Sequence, residues 1–151
     1  MPDKMPQKKI LIIHGPNLNM LGKREPHIYG RQSLDEIDCE LQQYGGQLGI
    51  QVEAFQSNHE GEIVERIQQA MDDCHGIIIN PAAYTHTSVA IRDALAMLNI
   101  PVIEVHLSNI YKRESFRHES MIADIVTARI AGFGSHGYIL GLDGLAKLLS
   151  K

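Results

Sequence analysis

At 151 residues, 44% hydrophobic and 21% charged, the chain has the size and composition of one globular domain, able to bury roughly two-thirds of the surface its unfolded form exposes. Its formal net charge of -4 argues against nucleic acid as the main partner, because phosphate backbones need a basic face. It leaves room for a small anion held by a few arginines. Cys39 and Cys74 stand in unrelated settings, which reads as two thiols in a reducing, cytoplasmic compartment rather than a disulfide framework. No run approaches the roughly 18 apolar residues of a membrane span.

Residues 1–9 are charged and proline-containing and are expected to form a flexible tail, with a single catalytic domain over 10–151. The apolar run at 10–13 is too short for a signal peptide and reads as a strand buried on both faces. The loop after it, residues 14–30, is long for a strand-to-helix connection, which usually takes about 2–6 residues. Such loops tend to be lids or binding loops. Gly15 and Gly22 do not form a dinucleotide fingerprint, and a P-loop would need Gly-Lys-Ser/Thr. The polar groups on offer are Asn17, Arg24 and Tyr29.

Ser33, with Glu36 three residues on, reads as a capping box. It opens a helix carrying Leu34, Ile37, Leu41, Tyr44 and Leu48 at helical spacing. Gly45 and Gly46 weaken its last turn, and Gly49 is a plausible stop. A strand at 51–55 leads into the polar helix entrance Gln56-Ser-Asn-His-Glu-Gly, and Ile63, Ile67, Ala70 and Met71 mark the next helix. A third strand at 76–79 exits at Asn80, after which Thr87 or Ser88 caps a helix reaching about Leu98. The strand at 101–105 carries Glu104, and His106 projects on the same side two residues on. A carboxylate in an apolar strand is costly unless paired, so His106 is its obvious partner. Arg113 and Arg117 are one turn apart if that segment is helical. A strand at 128–133 and a helix at 142–149 complete the pattern.

The alternation predicts an α/β doubly wound sandwich with a parallel sheet of about five strands, its ligands outside the carboxyl ends of those strands. Taken singly, Tyr29 is an ordinary turn tyrosine, His86 a capping or packing group, and the two arginines a solvated face. Their convergence on the strand exits is what points to a site. No His-Cys or paired-His spacing suggests a metal. Gly134-Ser135-His136-Gly137 is not a nucleophile elbow, since Phe133 stands where its first glycine belongs. No lysine lies inside a strand candidate, which weakens Schiff-base chemistry. What remains is acid–base chemistry with arginines, asparagines and backbone amides, suited to proton abstraction beside a carbonyl.

Six ordered motifs carry a family resemblance. His14-Gly-Pro-Asn-Leu-Asn-Met-Leu-Gly, Arg24-Glu-Pro-His-Ile-Tyr-Gly, Phe55-Gln-Ser-Asn-His-Glu-Gly, Asn80-Pro-Ala-Ala-Tyr-Thr-His-Thr-Ser, Glu104-Val-His-Leu-Ser-Asn and Ser115-Phe-Arg-His-Glu-Ser resemble the type II 3-dehydroquinate dehydratases. The resemblance runs from about Ile10 to Leu149. It implies a flavodoxin-like fold and anti elimination of water from 3-dehydroquinate through an enolate, with no metal or cofactor. By position it makes Tyr29 the general base, His106 the general acid and Glu104 the carboxylate that orients it. Asn17 corresponds to the enolate-stabilising asparagine, acting through water, and Arg24 to a lid arginine. Asn80 with the amides of Leu107 and Ser108 corresponds to the substrate carboxylate site. His86 and Arg117 correspond to the groups on ring hydroxyls, and Arg113 to an arginine lining the site. Asp93 corresponds to a residue reaching a neighbouring subunit, within a homo-oligomer expected to be a dodecamer built of trimers.

A tyrosine that works as a base near neutrality needs about 3–4 kcal/mol of preferential phenolate stabilisation. One cation about 4 Å away supplies on the order of 4 kcal/mol at an effective dielectric near 20, a task the resemblance gives to Arg24 with Arg113. The competing reading is a flavodoxin- or receiver-type binding module without catalysis. It is poorly supported, because the loop after the first strand has neither a Ser/Thr-rich phosphate cradle nor an acidic cluster.

Overall fold

Ile10, Leu11, Ile12 and Ile13 project alternately to opposite sides of their strand, and all four are fully buried, so both faces of the sheet must be covered. The computed structural model describes residues 7–23 and 25–150. Strands β1 (Lys8–His14), β2 (Ile50–Gln56), β3 (Gly76–Asn80), β4 (Val102–His106) and β5 (Ala128–Ala131) form one sheet in the order β2-β1-β3-β4-β5. Every neighbouring pair is parallel. This is the flavodoxin-like doubly wound order. Ile10 and Ile12 pack with Leu34, Ile37 and Leu41 of α2 (Leu34–Gln47) and with Tyr138, Leu142 and Leu145 of α5 (His136–Leu149). On the opposite face Leu11 and Ile13 pack with Ile63 and Ile67 of α3 (Glu60–Asp73) and with Ile91 and Leu95 of α4 (Val89–Ala96).

The helix starts follow their caps. Ser33 Oγ accepts the Glu36 N–H at 3.2 Å and donates to that residue's carboxylate at 3.1 Å. Ser88, rather than Thr87, caps α4 by accepting from Ile91 N–H at 2.9 Å. β1 starts at Lys8, which pairs with Ile50, so the ladder begins earlier than the apolar run alone indicates. The rest of the expected tail, residues 1–6, lies outside the described residues.

Three expectations need correction. α5 begins at His136, well before residue 142, because Gly137 and Gly141 lie within it. Glycine weakens a helix, but here it lets the helix seat closely on the sheet. A Cβ on Gly137 would stand 3.3 Å from Val105, and one on Gly141 3.3 Å from Ile78. β5 stops at Ala131, and Gly132 (φ +99) turns the chain away from the sheet. Arg113 and Arg117 are not on one helix. They follow and end two separate 3₁₀ turns, Ile110–Lys112 and Ser115–Arg117.

The long loop contains a 3₁₀ turn at Leu18–Met20 and the one-turn helix α1 (Pro26–Tyr29). Gly15 sets its start, since any Cβ there would lie 2.4 Å from the Pro81 carbonyl oxygen. Its N–H donates to Asn80 O at 2.8 Å. The loops leaving β1 and β3 are thus pressed together.

The thiols differ in environment. Cys39 is exposed and Cys74 buried; burial, with the hydrogen bond to Asp73, pushes the Cys74 thiol up to about 12. At pH 8 the native protein is expected to show one rapidly titrating thiol toward an aromatic disulfide reagent, and two after denaturation. Two fast thiols in the native state would contradict this. No helix among the described residues is long and apolar enough to cross a membrane.

Candidate active site

In a doubly wound sheet the ligand crevice opens where neighbouring strands send their connections to opposite faces, here between β1 and β3. A partly open cleft lies at that end, where this fold binds its ligands. Asn17, Tyr29, Asn80, His86, His106, Leu107, Ser108, Arg113 and Arg117 all line it, with apolar wall from Pro16, Leu18, Ala82, Ala83 and Ile110. Glu104 is fully buried behind His106. Asp93 is exposed on α4 and does not line the cleft. Arg24 lies outside the described residues.

The imidazole side is built on β4. His106 Nε2 stands 2.5 Å from Glu104 Oε2. Glu104 Oε1 accepts from Arg129 Nε at 3.0 Å and from Ser120 Oγ at 3.1 Å, and Arg129 Nη2 reaches Oε2 at 3.3 Å. Burial on its own would raise the Glu104 carboxyl. Hydrogen bonds and charge from His106 and Arg129 outweigh that and hold it below the ordinary carboxylate value. A carboxylate is acceptor-only, so the proton in the short contact sits on His106 Nε2. Arg129 and Ser120 were not singled out from the sequence. Arg129 lies opposite Glu104 in the β4–β5 register, a cross-strand pairing that no local spacing displays.

The phenol side is built on α1. Arg113 Nη1 donates to the Tyr29 hydroxyl at 2.8 Å, and the guanidinium carbon stands 5.1 Å from the centre of the ring. The same nitrogen is 3.5 Å from Ser108 Oγ. This puts a fixed cation on the atom where phenolate charge would develop. Replacing Arg113 with methionine is expected to lower kcat by about 10²-fold, the typical loss of one charge-stabilising donor. Steady-state kinetics with an unchanged kcat would show that this contact does not serve catalysis.

Polar groups for a ligand fill the rest of the cleft. Asn80 Oδ1 accepts the Ala82 N–H at 3.1 Å, and its Nδ2 donates to Tyr138 Oη at 3.2 Å. His86 Nδ1 donates to the Glu119 carbonyl at 2.7 Å. Burial, reinforced by His106 and Arg117, keeps His86 below the ordinary imidazole value despite that bond, so near neutrality its Nε2 is an acceptor. Arg117 Nε is held by Glu114 at 2.8 Å. The left-handed turn at Asn17 (φ 69) is tied down by its N–H donating to Asn58 Oδ1 at 2.9 Å. Gln56 Nε2 donates to the same oxygen at 3.2 Å. Among the described residues no cluster of His, Cys, Asp and Glu is arranged to hold a metal ion.

Sequence reasoning also passed over what stands behind Asn80. His14 and Tyr138 are fully buried, their nitrogen and hydroxyl 3.0 Å apart, and His14 Nε2 is 2.7 Å from Asp38 Oδ1.

The model of the dehydroquinase class II family matches residues 8–146. The 3-dehydroquinate dehydratase of Acaryochloris marina is 57% identical over 141 residues, covering 93% of this chain and 95% of that relative. That of Aliarcobacter butzleri is 55% identical over 143 residues, covering 95% of this chain and 87% of the relative. The crystal structure of type II dehydroquinase from Propionibacterium acnes superimposes with a TM-score of 0.91 at 48% identity, covering 93% of this chain and 97% of that one. Fold, cleft and comparisons agree, and the chain belongs to the dehydroquinase class II family of lyases.

Proposed function

We propose that this chain converts 3-dehydroquinate to 3-dehydroshikimate by anti elimination of water through an enolate, with Tyr29 as general base and His106 as general acid. The observation that carries the reading is that a phenol from α1 and an imidazole from the end of β4 enter one cleft, each backed by its own charged partner. Arg113 stands on the Tyr29 oxygen, and Glu104 with Arg129 stands behind His106. Such a pair can take a proton and give one from different sides of a ring.

The substrate carboxylate is received by Asn80 and the amides of Leu107 and Ser108, at the strand ends where this fold binds anions. Tyr29, as phenolate, removes the proton beside the ketone, and the C–H electrons pass to the ketone oxygen. Asn17 stabilises that enolate through a water. The enolate then collapses to the conjugated double bond as the C–O bond breaks, and protonated His106 gives its proton to the departing hydroxyl. Glu104 orients the imidazole. His86 and Arg117 hold ring hydroxyls, and Arg24 joins Arg113 near the base when the loop closes. Both proton transfers are made by side chains, so no cofactor takes part.

In this reading the enzyme works in the cytoplasm as a dodecamer built of trimers, with Asp93 reaching a neighbouring subunit's site. The exposure of Asp93 outside its own chain's cleft supports that role, and sedimentation velocity tests the assembly. The activity is tested by adding purified protein to 3-dehydroquinate and following the ultraviolet absorbance of the conjugated product. Folded protein that produces no signal would overturn the assignment.

A further inference from the structure

We propose that Asp38, His14 and Tyr138 are positioning residues that lock the Asn80 amide with one Nδ2–H facing the cleft, and so set the enzyme's grip on the substrate carboxylate. The inference rests on the carboxylate-binding role given above to Asn80. It concerns how that side chain is held, by three residues which themselves do not line the cleft.

The protons can be assigned from one end. A backbone N–H can only donate, so the 3.1 Å contact from Ala82 N fixes the facing atom of Asn80 as Oδ1 and the other as Nδ2. Nδ2 can only donate, so Tyr138 Oη accepts at 3.2 Å. Among the described residues the Tyr138 hydroxyl proton then has one remaining partner, His14 Nδ1 at 3.0 Å. Nδ1 must therefore be unprotonated, which puts the ring proton on Nε2, 2.7 Å from Asp38 Oδ1. Reversing the His14 tautomer would set Nδ1–H against the phenol and strand a hydroxyl proton in a fully buried site. Burial holds the Tyr138 phenol well above its ordinary range, so it stays a donor. His14 and Tyr138 also meet edge to face, centroids 5.2 Å apart.

Every link thus has one permitted direction, from Ala82 to Asp38. Among the described residues, the second Nδ2 hydrogen of Asn80 has no acceptor, and Asn80 lines the cleft.

The test is Tyr138→Phe, which keeps the ring and removes the hydroxyl. KM for 3-dehydroquinate should rise about 10-fold, the scale of a mispositioned hydrogen bond to a charged group, with kcat within about 3-fold of wild type. In an Asn80→Ala background the same substitution should leave KM unchanged, because residues acting through one another are not additive. Additive effects, or a fall in kcat at constant KM, would overturn the proposal. A neutron diffraction map of the wild-type protein supplies a readout independent of folding in the variants and of activity. It should place hydrogen on His14 Nε2 and none on Nδ1; hydrogen on Nδ1 overturns the relay. Wild-type protein that fails to turn over 3-dehydroquinate would instead refute the function while leaving the proton order to be judged by that map.

Discussion

Replacing Tyr29 with phenylalanine is expected to lower kcat by about 10³-fold, within the range that general acid–base groups contribute. The melting temperature and the affinity for a competitive carboxylate ligand should stay close to wild type. The reason is local. Tyr29 is only partly buried, at the end of a one-turn helix with no buried residue, so the hydroxyl can be removed without opening the core. Its oxygen is the atom that Arg113 addresses at 2.8 Å, and phenylalanine leaves the guanidinium with no charge to stabilise. Steady-state kinetics, ligand titration and a thermal melt together check the outcome. Turnover near wild type would exclude Tyr29 as the base.

Glu104→Gln should damage both catalysis and stability. The carboxylate is fully buried and receives hydrogen bonds from His106, Arg129 and Ser120. Removing one partner of a buried ion pair costs about 3–5 kcal/mol, because the remaining charge is left uncompensated. Loss of the group that orients His106 should lower kcat by about 10²-fold. The pH dependence has a definite sign. The folded-state carboxyl is held below its ordinary value of 4.5. Its stabilisation is therefore complete above that value and is lost as pH falls through the depressed one. Urea unfolding should show the full gap between wild type and variant near pH 7, narrowing as the solution is taken below pH 4.5. A gap that widens on acidification would mean that Glu104 is buried as the neutral acid.

The sheet was legible because its strands are unbroken apolar runs, such as 10–13 and 76–79, flanked by helices with periodic apolar stripes. The strand exits were legible for the same reason, and they carry Asn80 and His106. Less could be read where tertiary packing overrides local preference. Gly137 and Gly141 look like helix breakers but are the close-contact face of α5. Arg113 and Arg117 would stand one turn apart if their segment were helical, yet two 3₁₀ turns bring them into the same cleft. The supports of the site were the least visible. Tyr138 meets His14 from 124 residues away, and Arg129 meets Glu104 from 25. Such partners are chosen by sheet register and helix placement, which one-dimensional spacing does not encode. Arg24, expected near the base, lies outside the described residues, and among those described Arg113 donates to the phenol.

The two halves of the proton-transfer pair stand on supports of unequal stiffness. His106 closes a strand buried along its whole length, whereas Tyr29 ends a single helical turn. One turn of helix has little cooperativity of its own, and segments with few buried contacts open at small cost. The acid is therefore expected to be preorganised before a ligand binds, and the base arm to gain order on binding. Ligands spanning both ends must oppose that loss of conformational entropy. Molecules that reach only the His106 end avoid it, and the affinities of the two kinds of inhibitor should respond differently to changes in the stiffness of the α1 arm.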